Sequence, residues 1–369
     1  MNLKINHRLG IDKVDFFNNF SMNLKYDSMA SVFNFDFYFD PNNKKHAELA
    51  CVSHYHEAIV EHNGEKIITG YILAQDFTDE PKDTLVQIAG YSKPGVFEDC
   101  EIPTSLYPLQ SDGLSLREIA KKIIDPFKIK LVVDDVAKKD ASISIEFSQK
   151  VKEKLDKKID TSTAKESQNI KSYLTELAMQ RNVVFSHNEE GDLLITEART
   201  NATPIFEASE GMIGVKMKLK FNGQPIHSQI TVIKQADTEG GNAGEFTIKN
   251  PYCPIVFRPK VIVQSSGDDN TIEETAKNAL AAELKNINLV ITIDRWDVNG
   301  KIIRPNNMVA VKNRKLFLYN RTLWFIESIQ YTGNSKQTTA ELTCVLPEVY
   351  NGKTPKNIFV DPHQNLPRF

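Results

Sequence analysis

The last third of the chain alternates apolar and polar residues over several short stretches, and no other feature constrains the fold as strongly. The alternation runs through residues 296–311, 322–331 and 340–347, and Asn-Gly, Pro-Asn and Gly-Asn pairs interrupt it. A period of two places successive side chains on opposite faces of a strand, and Asn-Gly favours the tightest hairpin turns. This segment therefore predicts a run of antiparallel strands joined by short turns.

Four aromatic residues in this segment are the candidate core or interface residues. They are Trp296, Trp324, Phe325 and Tyr331. Both tryptophans are expected to pack in a β-barrel core, because burying an indole removes a large apolar surface from water. Trp324 and Phe325 are consecutive, so their rings point to opposite faces of a strand. We expect one ring to fill the core and the other to lie at an exposed or intersubunit surface.

The first hundred residues also have the composition of β structure. Residues 32–39 alternate aromatic with polar positions, and strands are predicted near 58–62 as well. Residues 66–89 and 322–345 share one pattern, in which a strand, a polar turn and a second strand follow one another. The repeated pattern predicts two related β domains on either side of a mixed segment.

Helical periodicity appears only between these regions. Ser115 and Glu118 form a capping box, and Pro126 ends the helix that it starts. A second helix is predicted over 167–181, with Asn182 as its left-handed C-cap. A third begins at a Thr271 capping box. A hairpin is expected at 183–195, so residues 106–203 have the pattern of a compact α/β insert.

Composition excludes several classes of protein. The net charge of 369 residues is -3, which argues against a protein that coats nucleic acid or a membrane. The N-terminus lacks a signal-peptide pattern and no apolar run nears the ~20 residues that span a bilayer. We expect cytoplasmic synthesis and no membrane anchor. The cysteines are far apart, so we expect buried free thiols rather than disulfides or a zinc motif: Cys51, Cys100, Cys253 and Cys344.

The sequence contains no complete motif for a catalytic or ligand-binding site. His54 and His56 could share a strand face as a metal pair would, and His46 and His62 lie nearby, but no carboxylate or cysteine has the usual ligand spacing. The glycines at 240–244 lack the lysine of a phosphate loop, and no nucleophile elbow occurs. Paired aspartates fit turns and caps better than a calcium loop. We expect no catalytic, cofactor or metal site and no enzyme activity.

The order of the motifs carries a resemblance to a known family. Thr69-Gly70-Tyr71-Ile72 precedes residues 86–93, the capping box leads to Asp125-Pro126, and a helix with a Gly-Asp hairpin follows before the final strands. From about Phe17 to Tyr350, the chain resembles the baseplate hub proteins of phage tails, the Mu-type hub and late control protein D group. It departs from them at Tyr91, where an arginine is usual.

The resemblance implies a β-rich α+β fold with two tail-tube-like β-barrels flanking an α/β insert. The expected segments are a first barrel (1–105), the insert (106–203), strands and a helix that link to and partly form the second barrel (204–286), the second barrel (287–350) and a tail that lies on a neighbour (351–369).

The resemblance also implies a structural role. A homotrimer would present six barrels in a ring and join a sixfold tail tube to a threefold spike in the virion baseplate. Its partners would be itself, the central spike, the tail tube or distal tube protein and the baseplate wedge proteins, and DNA would pass without specific binding. The alternatives are the tail-tip hub of a non-contractile phage, the hub of another contractile injection system, and a cell-wall-degrading tail enzyme.

Overall fold

A computed structural model gives a β-rich chain with a large antiparallel sheet and few helices. The described residues are 2–7, 10–14, 17–79, 81, 84–107, 109–134, 152–159, 163–165, 167–235, 242–265, 271–334 and 336–360. The chain divides into two compact units. Unit 1 contains 1–197, 294–305 and 328–340, and unit 2 contains 198–293, 306–327 and 341–369.

The secondary structure elements are numbered in chain order. The strands are β1 Asn2–His7, β2 Gly10–Val14, β3 Asn19–Lys25, β4 Val32–Tyr38, β5 Glu57–His62, β6 Glu65–Asp79, β7 Thr84–Ser92, β8 Leu131–Val133, β9 Val184–His187, β10 Leu193–Thr196, β11 Glu207–Ser209, β12 Val215–Phe221, β13 Gln229–Gln235, β14 Asn242–Lys249, β15 Pro259–Gln264, β16 Ile287–Ile293, β17 Asp297–Val298, β18 Lys301–Ile302, β19 Met308–Asn313, β20 Leu318–Asn334 and β21 Thr338–Val345. The helices are α1 Lys44–Leu49, α2 Val96–Asp99, α3 Leu116–Ile124, α4 Ile170–Met179, α5 Ile272–Leu284 and α6 Glu348–Asn351.

The main sheet of unit 1 is antiparallel, in the order β20 (second half), β3, β4, β7, β6, β5, β1, β2. Its core follows from alternation, since Phe33, Phe35 and Phe37 of β4 are all buried on one face. Gly70 and Gly90 allow β6 and β7 to approach closely, because a Cβ at these positions would lie 1.9 and 2.1 Å from a backbone carbonyl oxygen.

Unit 1 also holds α3, α4 and the small sheet β8-β10-β9. The capping box at Ser115 forms as predicted, and Asn182 adopts the left-handed conformation. These elements share one hydrophobic cluster, to which Met29 and Phe97 from the first hundred residues also belong. Whether the segment 106–203 is a domain of its own therefore stays a prediction.

Unit 2 contains the strand order β12, β16, β21, β20 (first half), β19, β11 and a smaller sheet, β14-β13-β15, on which α5 packs. The Thr271 capping box begins α5 as predicted. Near its end, the buried Glu283 carboxylate accepts from the His227 backbone N–H at 2.9 Å and pairs with the Lys260 ammonium at 3.4 Å. In neither unit do the described strands close into a barrel, so the two barrels stay a proposal.

One expectation, the loop at 240–244, differs from the structure, whereas the bounds of the second barrel and the contact of the tail with a neighbour stay predictions. Segments 294–305 and 328–340, predicted within the second barrel, belong to unit 1. Asn242 and Gly244, predicted in a flexible loop, lie in β14, whereas 236–241 fall outside the described residues. The described part of the predicted tail packs on its own unit, where Phe359 contacts Tyr252 and Phe221 at ring-centroid distances of 5.8 and 6.0 Å.

Candidate interaction surfaces

Two of the candidate aromatic residues, Trp296 and Tyr331, meet in the core of unit 1. Their rings are 5.3 Å apart, and Phe20 of β3 lies 5.8 Å from the indole. The indole N–H of Trp296 is shared between the carbonyl oxygens of Thr332 and Thr339, at 3.0 and 2.9 Å. These contacts fasten the late segment 294–305 to the first strands of the chain.

Tyr331 is fully buried, and its hydroxyl donates to the backbone carbonyl of Ile303. Burial raises the pKa of the phenol, because a phenolate would be desolvated there. The side chain is therefore a neutral hydrogen-bond donor within the core. Trp296 and Tyr331 are therefore buried in the core of unit 1, and the packing of Trp296 in a barrel stays a prediction.

Trp324 and Phe325 lie in unit 2, and both rings are 0% exposed. The prediction that one ring would be exposed on the chain is wrong, because β20 is covered on both faces at this point. The Trp324 indole N–H donates to Thr322 Oγ1 at 3.0 Å. Phe325 packs on Tyr350 of the short helix α6 at a centroid distance of 4.9 Å.

An exposed apolar surface lies instead at β15 and the loop before it. We call the following residues the β15 surface: Ile255, Val256, Phe257, Val261 and Val263. Ile255 and Phe257 are each 76% exposed, and the two valines alternate along the strand with half-buried residues. Exposed apolar residues concentrated in this way mark interaction surfaces in soluble proteins.

The β15 surface is held on an ordered backbone. Within the described residues β15 pairs only with β13, so its other edge carries backbone groups that a further strand could pair. The guanidinium of Arg258 donates to the carbonyl oxygens of Gly223, at 2.6 Å, and of Gln224. The loop is therefore preorganised, which lowers the entropy cost of binding a partner.

The edge strand β12 has the opposite character. Lys216, Lys218 and Lys220 are all exposed along one of its faces, whereas the residues between them are half-buried. Lysines on an edge strand disfavour pairing with another chain. These two edge strands of unit 2, β12 and β15, thus differ in chemistry, and the β15 surface is the one suited to a protein partner.

The four histidines that cluster in sequence lie in three different environments. His46 Nδ1 accepts from the backbone N–H of Asp40 at 3.0 Å, and the His62 ring packs on Trp296 at 5.1 Å. Burial lowers the pKa of His62 because it disfavours the imidazolium. His54 and His56 lie together, with ring centroids 5.3 Å apart, in the loop before β5 and not on a strand.

A carboxylate and a thiol accompany this pair, contrary to the expectation from spacing. Donor atoms of Glu48, His54 and His56 lie within 4.8 Å of one another. The Cys51 Sγ is 3.5 Å from His54 Nε2. Sequence spacing missed Glu48 because α1 and the following turn, and not a strand, bring it to the histidines.

The structure also bears on the expectations for the cysteines, the paired aspartates and membrane-spanning helices. The four cysteines are free, but only Cys344 is buried. Burial raises its thiol pKa. Asp134 is a buried residue that accepts from Thr196 Oγ1 at 3.0 Å, whereas 266–270, with the second aspartate pair, lie outside the described residues. Within the part of the chain that the structure describes, no helix is long and apolar enough to cross a membrane.

Comparison with known proteins identifies the fold. No family model and no curated protein matches the chain. Among solved structures, the 43 kDa tail protein of prophage MuSo2 from Shewanella oneidensis has a TM-score of 0.75 at 18% identity, over 95% of this chain and 99% of that one. A tail protein from Neisseria meningitidis MC58 has a TM-score of 0.74 at 16% identity, over 96% and 98%.

A weaker match is an Escherichia coli component of the type VI secretion system, which is similar to the phage T4 tail proteins gp27 and gp5. Its TM-score is 0.52 at 8% identity, over 96% of this chain and 80% of that one. These likenesses confirm, at the level of the fold, the resemblance to phage tail proteins. The chain has the fold of a phage tail structural protein.

Proposed function

We propose that this chain is the baseplate hub of a phage tail, a homotrimeric ring that joins the sixfold tail tube to the threefold central spike. The observation that carries the proposal is the full-length likeness to two tail proteins, at TM-scores of 0.75 and 0.74 over nearly all of both chains. A likeness confined to one unit would support only a shared module. In this proposal each unit supplies a tube-like barrel to the ring, so a trimer presents six.

The β15 surface supports a contact between copies of the chain. Its exposed residues would be costly to leave in water, since burial of apolar area is worth about 25 cal/mol per Å². In a closed ring each subunit meets the next through the same pair of surface patches, so no subunit keeps such a patch exposed to water. We assign this surface to the subunit interface, and the spike, tube and wedge proteins to other faces of the ring.

The ring is proposed as a passage for DNA with no catalytic role. The net charge of -3 supports a lumen that does not retain the duplex, because many Lys or Arg contacts to phosphate would hold it through counterion release. We expect no specific binding of duplex DNA at physiological salt. Retarded migration of linear DNA with the purified ring would contradict this part of the proposal.

A second candidate is the hub of another contractile injection system. The similarity to the type VI secretion component supports it, but the TM-score of 0.52 is well below those of the two prophage proteins. We therefore favour the phage tail. Finding the chain in the baseplate of a purified virion would establish the phage tail as its location. Absence of the chain from the virions of an inducible prophage would favour the second candidate.

The ring is tested by measuring oligomeric state. Native mass spectrometry and negative-stain images of the full chain should give a hollow trimer. Replacing both valines of the β15 surface with lysine (Val261→Lys, Val263→Lys) should leave a folded monomer, because two charges would then need desolvation on assembly. Met179→Lys is the matched control, since Met179 is 70% exposed on a helix of unit 1. A wild-type chain that stays monomeric at every concentration and with its tail partners would overturn the proposal.

A further inference from the structure

We propose that Glu48, His54 and His56 form a binding site for a divalent transition-metal ion, with zinc as the expected ion. The three side chains come from the last turn of α1 and the loop that leads to β5. Their donor atoms lie within 4.8 Å of one another, close enough for one ion to draw them together. Two imidazoles and one carboxylate are a donor set that suits zinc, with water completing the coordination.

His56 is prepared to bind through Nδ1. Its Nε2 lies 3.0 Å from the backbone carbonyl oxygen of Glu48, and a carbonyl can only accept, so Nε2 carries the proton. In the neutral ring Nδ1 then holds the lone pair that a metal ion needs. Metal-binding histidines usually donate their other ring N–H to a carbonyl or carboxylate in this way.

His54 can also present Nδ1 to a metal ion, because its Nε2 can donate to the Cys51 sulfur. Its Nδ1 lies 4.0 Å from the Glu48 carboxylate, and its Nε2 lies 3.5 Å from the Cys51 sulfur. When Nε2 donates to the sulfur, Nδ1 faces the carboxylate side of the cluster. Cys51 is therefore a positioning residue and not a ligand in this proposal.

The local backbone explains how the donors meet. Ser53 and Tyr55, on either side of His54, both have positive φ values, 67° and 48°. Such left-handed residues fold the loop tightly and return the histidines to the helix. Glu48 and His56 are 7% and 6% exposed, whereas the His54 side chain is 33% exposed, so an ion could enter from the His54 side.

The ion is expected to join α1 to the start of β5. Because it binds the folded chain and not a preformed site in the unfolded one, zinc should raise the melting temperature of unit 1. The site does not depend on the proposed ring, since all of its residues belong to a single chain. It can be tested on the monomer or the trimer.

The test is titration of the metal-free full-length chain with zinc chloride by calorimetry, and with cobalt chloride by visible absorption. One ion per chain and a zinc-dependent rise in melting temperature are expected. His54→Gln and Glu48→Gln should each abolish stoichiometric binding, and His54→Gln, at a partly exposed position, should leave the apo fold intact by circular dichroism. Cys51→Ser should weaken zinc binding by on the order of 10–100-fold, as loss of an outer hydrogen-bond partner does.

His46→Gln is the matched control, because His46 lies in the same helix and outside the donor set. It should bind zinc as tightly as the wild type. Absence of stoichiometric binding to the wild type, unchanged affinity in both ligand variants, or equal loss in the His46 variant would each overturn the proposal.

Discussion

His187 of β9 connects to Ser31, just before β4, through Nε2 of its ring, while Nδ1 bonds the next residue in the chain. Nδ1 donates to the Asn188 carbonyl oxygen at 3.1 Å, so Nε2 is the acceptor and takes the Ser31 hydroxyl at 2.6 Å. Burial is the main cause of a pKa lowered to about 4, and Arg304 contributes by repulsion. The carbonyl of Asn188 and the charge of Glu189 act in the opposite direction.

We predict that His187 makes the chain less stable as pH falls from 7 to 5. The folded ring stays neutral down to about pH 4, whereas the unfolded ring binds a proton below 6.5. The unfolded state therefore binds more protons in this window, and the free energy of unfolding falls as pH falls. Over 1.5 pH units below 6.5 the loss should be roughly 2 kcal/mol. Urea denaturation at several pH values measures it.

His187→Gln is the comparison for this prediction. It should be less stable at pH 7 but should lose less stability between pH 7 and 5. His62, whose pKa burial also lowers, should supply a remaining slope. Glu98 and Glu118 have lowered pKa values and act only at more acidic pH, because an unperturbed carboxyl titrates near 4.5. Identical slopes in the variant and the wild type would contradict the assignment.

The elements with local sequence signals were predictable. Capping boxes fixed the starts of α3 and α5, and alternation located the strands β4 and β20. β15 was missed because its pattern is not that of a half-buried strand, and the start of β14 was missed because its glycine-rich residues predicted a loop. β15 exposes Val261 and Val263 instead of burying them, so its apolar residues carried no information about a core.

The candidate sites show the same limit. Alternation in β20 assigned Trp324 and Phe325 to opposite faces, but it could not show that both faces are covered. The Phe325 face is covered by Tyr350, whose hydroxyl donates to Glu327 at 2.6 Å. Such tertiary contacts leave no periodic signal. Sequence spacing also missed the group of Glu48, His54 and His56. These residues meet only because Ser53 and Tyr55 adopt left-handed conformations, which leave no periodic pattern.

We predict that Trp324→Ala and Phe325→Ala each destabilise unit 2 by roughly 3–5 kcal/mol, because each leaves a cavity in a packed core. Guanidinium denaturation followed by circular dichroism measures the change. Leu323→Ala, on the same strand but with a side chain 38% exposed, is the control and should cost much less. A folded Phe325 variant of wild-type stability would mean that its ring is not part of the core.

At the scale of the whole molecule, unit 1 depends on chain segments that are distant in sequence. The second half of β20 pairs with β3 from Ser328↔Lys25 to Asn334↔Asn19, and Trp296 packs on Phe20. Removing these late segments would expose an edge strand and part of the aromatic core. Independent folding of residues 1–197 is therefore not expected, although most of unit 1 lies there.

We predict that residues 1–197, produced alone, are insoluble or unfold without a cooperative transition. Thermal melts followed by far-ultraviolet circular dichroism, with the full chain as reference, check the prediction. The physical reason is the loss of the β3–β20 pairing and of the Trp296 contacts, which local sequence within 1–197 cannot replace. A soluble fragment with one sharp transition would show that the late segments are dispensable.

The six alternating segments of the two units mean that the chain passes from one unit to the other five times. A gene can exchange a contiguous block by recombination, but unit 2 is not contiguous in this gene. A single crossover within codons 198–340 would join parts of two parental versions inside the same core, where mismatched side chains cost stability. Recombination between related genes should therefore transfer this gene whole, and each unit should diverge by point substitution.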